Sequence, residues 1–155
     1  MVSALFVCLG NICRSPLAEA AFRDAAARAG LAAEADSAGT GNWHVGSPPD
    51  PRSQAVALAH GVDISDLRAR QVSAEDFRRF DWILALDPQN LRDLRRIAPA
   101  DGTARLLLLN DLVPGLEGEP VPDPYYGGER EFETVWAMVQ AGAEGLVRAM
   151  RAEES

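Results

Sequence analysis

Residues Cys8-Leu9-Gly10-Asn11-Ile12-Cys13-Arg14-Ser15-Pro16 constrain this chain more than any other stretch. They follow Ala4-Leu5-Phe6-Val7, a short continuous apolar run of the kind a strand buried on both faces requires. They end in Ser15, a good N-cap, and Pro16, a good first helical residue, so a helix is expected from Pro16 to about Ala29, with Gly30 as its stop. A buried strand thus passes through a tight loop straight into a helix N-terminus. Such a loop points successive N–H groups into one concavity, to which the helix dipole adds positive potential. That is an oxyanion site. No Gly-Lys-Ser/Thr follows, so the nucleotide-binding version of the motif is absent. Cys8, at the strand end, would form the floor of the cup, where amides, dipole and the Arg14 guanidinium favour a thiolate. Arg14 can grip two phosphate oxygens through a fork that lysine lacks. A thiolate beneath a bound phosphate is the equipment for phosphoryl transfer to cysteine.

The other elements alternate in type. Helix one carries Leu17, Ala20, Ala21 and Ala25 at core spacing, small enough to pack closely on a sheet. Glu34 to Ala38 reads as a weaker strand leading into a loop over 39–46, which carries Trp43 and His44. Asp50-Pro51 opens a helix that runs to His60 and stops at Gly61. Residues 62–72 have no period, and Ser73 to Asp76 start a short, well-capped helix. Trp82 to Leu86 is a second apolar strand, and Asp87-Pro88 opens a helix to about Ile97. Leu106 to Leu109 is a third apolar strand. Residues 110–127 form a long loop rich in Pro and Gly, of a length that tends to be functional. Glu129 to about Arg151 is a long helix with Phe132, Val135, Trp136, Val139, Ala143, Leu146, Val147 and Met150 on one face, which makes Trp136 a core residue. Apolar strands alternating with helices imply an open α/β fold, a parallel sheet covered on both faces. In such sheets ligands bind beyond the carboxyl ends of the strands at a topological switch point, and the Cys8 loop sits at such an end.

At 155 residues the chain is expected to be one domain spanning 1–155. Hydrophobic residues at 47% against 25% charged argue against disorder. All 15 basic residues are Arg, yet they form no stripe, and a net charge of −8 argues against nucleic acid and anionic membrane as partners. The Ala4–Val7 run is too short for a signal peptide, and no segment is long enough for a membrane span, so a cytoplasmic protein is expected. Two cysteines inside one loop are no secreted disulfide framework, and without nearby histidines they supply too few ligands for zinc. No metal and no cofactor is expected. His44 and His60 look unremarkable.

The stretch from Val7 to Pro16 resembles the signature loop of the low-molecular-weight protein tyrosine phosphatases. The likeness continues through Asp36-Ser37-Ala38-Gly39-Thr40, Ala69-Arg70-Gln71 and Asn90-Leu91-Arg92-Asp93-Leu94 to Pro122-Asp123-Pro124-Tyr125-Tyr126-Gly127, over essentially the whole chain. The resemblance implies a single-domain, open twisted sheet of four parallel strands in the order 2-1-3-4 with helices on both faces. It makes Cys8 the nucleophile, Arg14 the phosphate clamp and Asp123 the general acid and base. Leu9, Gly10, Asn11, Ile12, Cys13 and Ser15 become the phosphate cradle, with Trp43, Tyr125 and Tyr126 as walls for a phosphotyrosine ring. Asn11 and Ser37 would brace the loop by hydrogen bonds. Ser15 would bond the Cys8 sulfur, an alternative to its reading as an N-cap. Cys13 is either a small apolar filler or a resolving thiol that captures oxidised Cys8. Family members often carry a histidine near position 67 that completes the brace; here the residue is Leu67, beside Asp66. The implied activity is hydrolysis of protein phosphotyrosine, by a monomer or a weakly self-associating protein. A protein-arginine phosphatase is the nearest alternative, although members that prefer phosphoarginine tend to have Thr where this chain has Ile12. An arsenate reductase would need cysteines after Cys13, of which there are none. A binding module without turnover would need neither a thiolate nor an acid.

Overall fold

The computed structural model describes residues 1–154. Four parallel strands, β1 (Val2–Cys8), β2 (Ala33–Gly39), β3 (Trp82–Ala85) and β4 (Arg105–Leu108), form one sheet in the order β2-β1-β3-β4, as expected. The apolar run of β1 is continuous because both of its faces are covered. Ala4, Phe6 and Cys8 face a layer made by α1 (Arg14–Arg28), α2 (Pro51–Ala59) and α5 (Glu129–Glu154). Leu5 and Val7 face the opposite layer, made by α3 (Asp76–Arg79) and α4 (Pro88–Ile97). Trp82 and Leu84 of β3 share the first layer, Ile83 and Ala85 the second.

Helix α1 buries Leu17, Ala18, Ala20, Ala21, Phe22 and Ala25, more than one face, because it is wedged between the sheet and α5. Its alanines let those three layers approach, and the Phe22 ring stands 5.6 Å from that of Phe6. The face of α5 expected from the sequence is buried throughout, Trp136 included. His60, at the end of α2, stacks on Trp136 at 4.9 Å and hydrogen-bonds Glu133 at 3.0 Å. β4 has one sheet neighbour and is only half-buried; Leu109, expected in the strand, opens a short 3-10 turn over Leu109–Leu112. Among the described residues no helix is long and apolar enough to cross a membrane.

The start of α1 is also corrected. The helix begins at Arg14 rather than Pro16, with Cys13 at its N-cap and no side-chain cap there. Ser15 is the second helical residue, its hydroxyl turned inward to a tertiary partner. The chain passes from β1 to β2 on one side and then crosses from β2 to β3 on the other side of β1, so the switch point lies at the carboxyl end of β1. Cys8 occupies it.

Candidate active site

Between β1 and α1 the chain curls so that its carbonyls turn outward. Those of Cys8, Leu9 and Ile12 accept N–H groups from Thr40 (2.9 Å), Gly41 (2.9 Å) and Asp50 (2.8 Å), and Cys13 accepts the Ser53 hydroxyl at 3.3 Å. The N–H groups of Gly10, Ile12 and Cys13 make no hydrogen bond among the described residues, and the N-terminus of α1 adds its dipole. Asn11 makes the curl possible by adopting φ 58°, a left-handed conformation that Asn tolerates better than most residues. Gly39 makes it fit. A Cβ there would lie 2.8 Å from the Leu9 carbonyl oxygen and 3.2 Å from the Asn11 nitrogen.

Cys8 is buried at the floor. The Asn11 N–H donates to its sulfur at 3.3 Å, and the Ser15 hydroxyl lies 3.1 Å away. Beneath the loop the Asn11 amide donates to Ser15 (2.8 Å) and Ser37 (3.0 Å), and its oxygen accepts the Arg70 N–H at 3.0 Å. Leu67 contributes no polar group to this brace and packs against the core; the Arg70 main chain satisfies the third position. The Arg70 side chain is itself pinned by Asp36 and Asp76, all at about 3.0 Å.

Arg14 is buried, 4% exposed. One guanidinium nitrogen donates to Asp87 Oδ2 at 2.6 Å and to the Val121 carbonyl at 3.0 Å. Burial disfavours the charge of Arg14, but Cys8, Asp87 and Asp123 more than offset it and hold the pKa above the ordinary value. Asp87 also caps α4, its Oδ1 accepting the Asn90 N–H at 2.7 Å. Burial pushes the Cys13 thiol up to about 12, with Asp50, Cys8 and Asp123 adding to the rise and Ser53 opposing it. Cys13 is therefore a neutral thiol near pH 7.

Above Cys8 opens a cleft of about 320 Å³, a size suited to a small substrate group. Ile12 and Cys13 line one side, and Asp123, Tyr125 and Tyr126 come from the long loop. The two tyrosine rings meet edge to face at 5.0 Å. Trp43 and Tyr126 are 70% and 98% exposed, so they form a rim rather than deep walls. Among the described residues no three His, Cys, Asp or Glu side chains gather as a metal-ligand set.

The model of the low molecular weight phosphotyrosine protein phosphatase family matches residues 3–155. The chain belongs to that family. It is 50% identical over 151 residues to a low molecular weight protein-tyrosine-phosphatase of Streptomyces coelicolor, covering 94% of this chain and 92% of that protein. Among solved structures, YfkJ from Bacillus subtilis matches with a TM-score of 0.92 at 44% identity, covering 100% and 98% of the two chains. A Drosophila arginine phosphatase matches with a TM-score of 0.90 at 33% identity, covering 96% and 97%.

In this phosphatase Cys8, Arg14, Asp123, Trp43, Tyr125 and Tyr126 all line the one cleft, together with Leu9, Gly10, Ile12 and Cys13. Asn11, Ser15 and Ser37 lie beneath it as the brace. Three features escaped the sequence. His44, read as unremarkable, lines the cleft beside Gly10. Asp87 looked like a helix cap and is one, but it also holds Arg14. Gly39 looked like an ordinary loop residue, although the phosphate loop leaves no room for a side chain there. A glycine at the end of a strand neighbouring the signature loop was the one available signal for it.

Proposed function

We propose that this phosphatase hydrolyses protein phosphotyrosine through a phosphocysteine intermediate. The observation that carries the reading is Asp123 in the same cleft as the buried Cys8 sulfur and Arg14. The Cys8 thiolate attacks phosphorus in line, forming an S–P bond as the P–O bond to the tyrosine breaks. Asp123 supplies the proton that the departing phenolate oxygen takes up. Arg14 and the free loop amides bind the equatorial oxygens, where charge accumulates. In the second step Asp123, now a carboxylate, takes a proton from water as it attacks the phosphocysteine. The S–P bond breaks, and Ser15 donates to the returning thiolate 3.1 Å away. No metal takes part.

Ile12, where members that prefer phosphoarginine tend to have Thr, supports an aryl substrate, and the tyrosine pair offers ring faces to it. The arginine phosphatase reading has one observation behind it, the likeness to the Drosophila protein. Turnover of p-nitrophenyl phosphate in EDTA tests the enzyme and its metal independence. Paired assays on phosphotyrosine and phosphoarginine peptides then test the substrate: the tyrosine peptide should be preferred, and the reverse preference would overturn the assignment. Cys13 is read as the thiol that captures Cys8 after peroxide converts it to a sulfenic acid, closing a disulfide with loss of water.

A further inference from the structure

The Arg52 side chain joins two segments that the catalytic scheme treats separately. One edge of its guanidinium holds Asp50, with Nε 3.0 Å from Oδ1 and Nη2 2.9 Å from Oδ2. The other edge reaches two carbonyls of the acid-bearing loop, Tyr125 at 2.9 Å and Gly127 at 3.0 Å. The guanidinium also lies over the Phe132 ring at 4.7 Å and near the Tyr125 ring at 5.7 Å. Asp50 is fixed in turn: Oδ1 caps α2 by accepting the Arg52 N–H at 2.8 Å, and its own N–H donates to Ile12 in the phosphate loop at 2.8 Å. A continuous path of hydrogen bonds therefore runs from Ile12 through Asp50 and Arg52 to the backbone around Asp123.

That path matters because the acid loop has few other ties. Val121 anchors its start, its N–H donating to Leu86 at 2.8 Å and its carbonyl accepting Arg14. The Asp123 carboxylate accepts the Tyr125 N–H at 3.1 Å, and Gly127 and Gly128 bond to Pro124 and Glu131 within the same stretch. Among the described residues, Arg52 supplies the only side chain from outside residues 121–131 that hydrogen-bonds the loop between Pro122 and Gly128. We infer that Arg52 is a positioning residue for the general acid: it sets the Tyr125–Gly127 backbone against the phosphate loop, and so holds Asp123 at the leaving-group oxygen. A lysine would keep the charge but could not span both partners, because its donors radiate from a single nitrogen.

The inference rests on the role proposed for Asp123, and its test separates the two. The measurement is kcat/KM for a series of aryl phosphates of rising leaving-group pKa, together with inhibition by inorganic phosphate, for wild type, Arg52→Ala, Arg52→Lys, Asp123→Asn and the double variant Arg52→Ala/Asp123→Asn. Arg52→Ala should lose about tenfold on the poorest leaving groups and little on the best, a part of the roughly 10²–10⁴-fold that a general acid contributes. Phosphate inhibition should be unchanged, since the cradle does not include Arg52. Arg52→Lys should recover little of the loss. With Asp123 already neutralised, removing Arg52 should cost less than about twofold more, because no acid remains to be placed. A steep profile for Asp123→Asn with a flat one for Arg52→Ala, or a full tenfold further loss in the double variant, overturns the inference alone. A flat profile for Asp123→Asn removes the acid role itself and the inference with it.

Discussion

The phosphate loop and the acid loop face each other across one cleft and are held by very different amounts of structure. The phosphate loop is buried at Cys8, Asn11, Cys13 and Arg14, its carbonyls are taken by Thr40, Gly41, Asp50 and Ser53, and a brace of Asn11, Ser15, Ser37 and Arg70 lies beneath it. The acid loop is exposed from Pro122 to Tyr126 except at Pro124, and it is tied down by Val121 and Arg52. Under the proposed mechanism the difference follows from what each must do. Stabilising charge on a transferring phosphoryl group requires donors that are fixed before the substrate arrives, since reorganising them during the reaction would cost the benefit. A group that hands a proton to a leaving oxygen, and later takes one from water, must instead serve two positions and stay accessible to solvent. Damage at the two ends should therefore read out differently.

The largest effect is expected from Cys8→Ser. Turnover should fall on the order of 10⁴-fold or more, while inorganic phosphate binding and thermal stability remain close to wild type, because the cradle survives. Residual activity near wild type would mean that the nucleophile lies elsewhere.

Asp123→Asn addresses the looser end. Its loss in kcat/KM should approach roughly 10²–10⁴-fold for poor leaving groups and shrink as the phenol becomes more acidic, with melting temperature and phosphate affinity unmoved. A loss accompanied by weaker phosphate binding would erase the contrast between the two loops.

Gly39→Ala addresses the rigid end without touching a reacting group. The added methyl meets the Leu9 carbonyl at 2.8 Å, so the loop must shift. About 1–3 kcal/mol of stability should go. Phosphate should bind about tenfold more weakly, equivalent to roughly 1.4 kcal/mol. The loss in rate should be uniform across leaving groups. Wild-type behaviour would show that the loop is not pinned by β2.

The smallest effect concerns Cys13. Its thiol, pushed up to about 12, attacks only as the scarce thiolate, so disulfide closure after a peroxide pulse should accelerate about tenfold per pH unit between pH 6 and 8. Mass spectrometry of quenched samples would follow it. Cys13→Ser should be inactivated at a similar initial rate and recover less fully with dithiothreitol, through overoxidation of Cys8. Equal recovery would leave Cys13 as a filler of space.

Much of this architecture was legible in the chain because it is local. Both faces of β1 and β3 are buried, which leaves apolar runs. The turn from Val7 to Pro16 has its own residue signature, and α5 keeps one apolar face from Phe132 to Met150, about five turns. What escaped depends on contacts between distant segments. Ser15 has good N-cap chemistry, yet its hydroxyl is drawn to Cys8 and Asn11, and local preference yields to the buried partner. Asp87 does the job its position suggests with one oxygen and a second job with the other, and no pattern in sequence marks the second. Arg52 is one of 15 arginines, and only the folded chain brings the Tyr125 and Gly127 carbonyls to it.

The central claim is that the phosphoryl group passes through Cys8, and rapid acid quench tests it directly. Wild type mixed with excess p-nitrophenyl phosphate, quenched within one turnover and digested, should yield the peptide containing Cys8 with one phosphoryl group attached, matched by a stoichiometric burst of p-nitrophenol. Turnover with no phosphoryl group on Cys8 and no burst, when hydrolysis of the intermediate is slow enough to trap, would contradict the account.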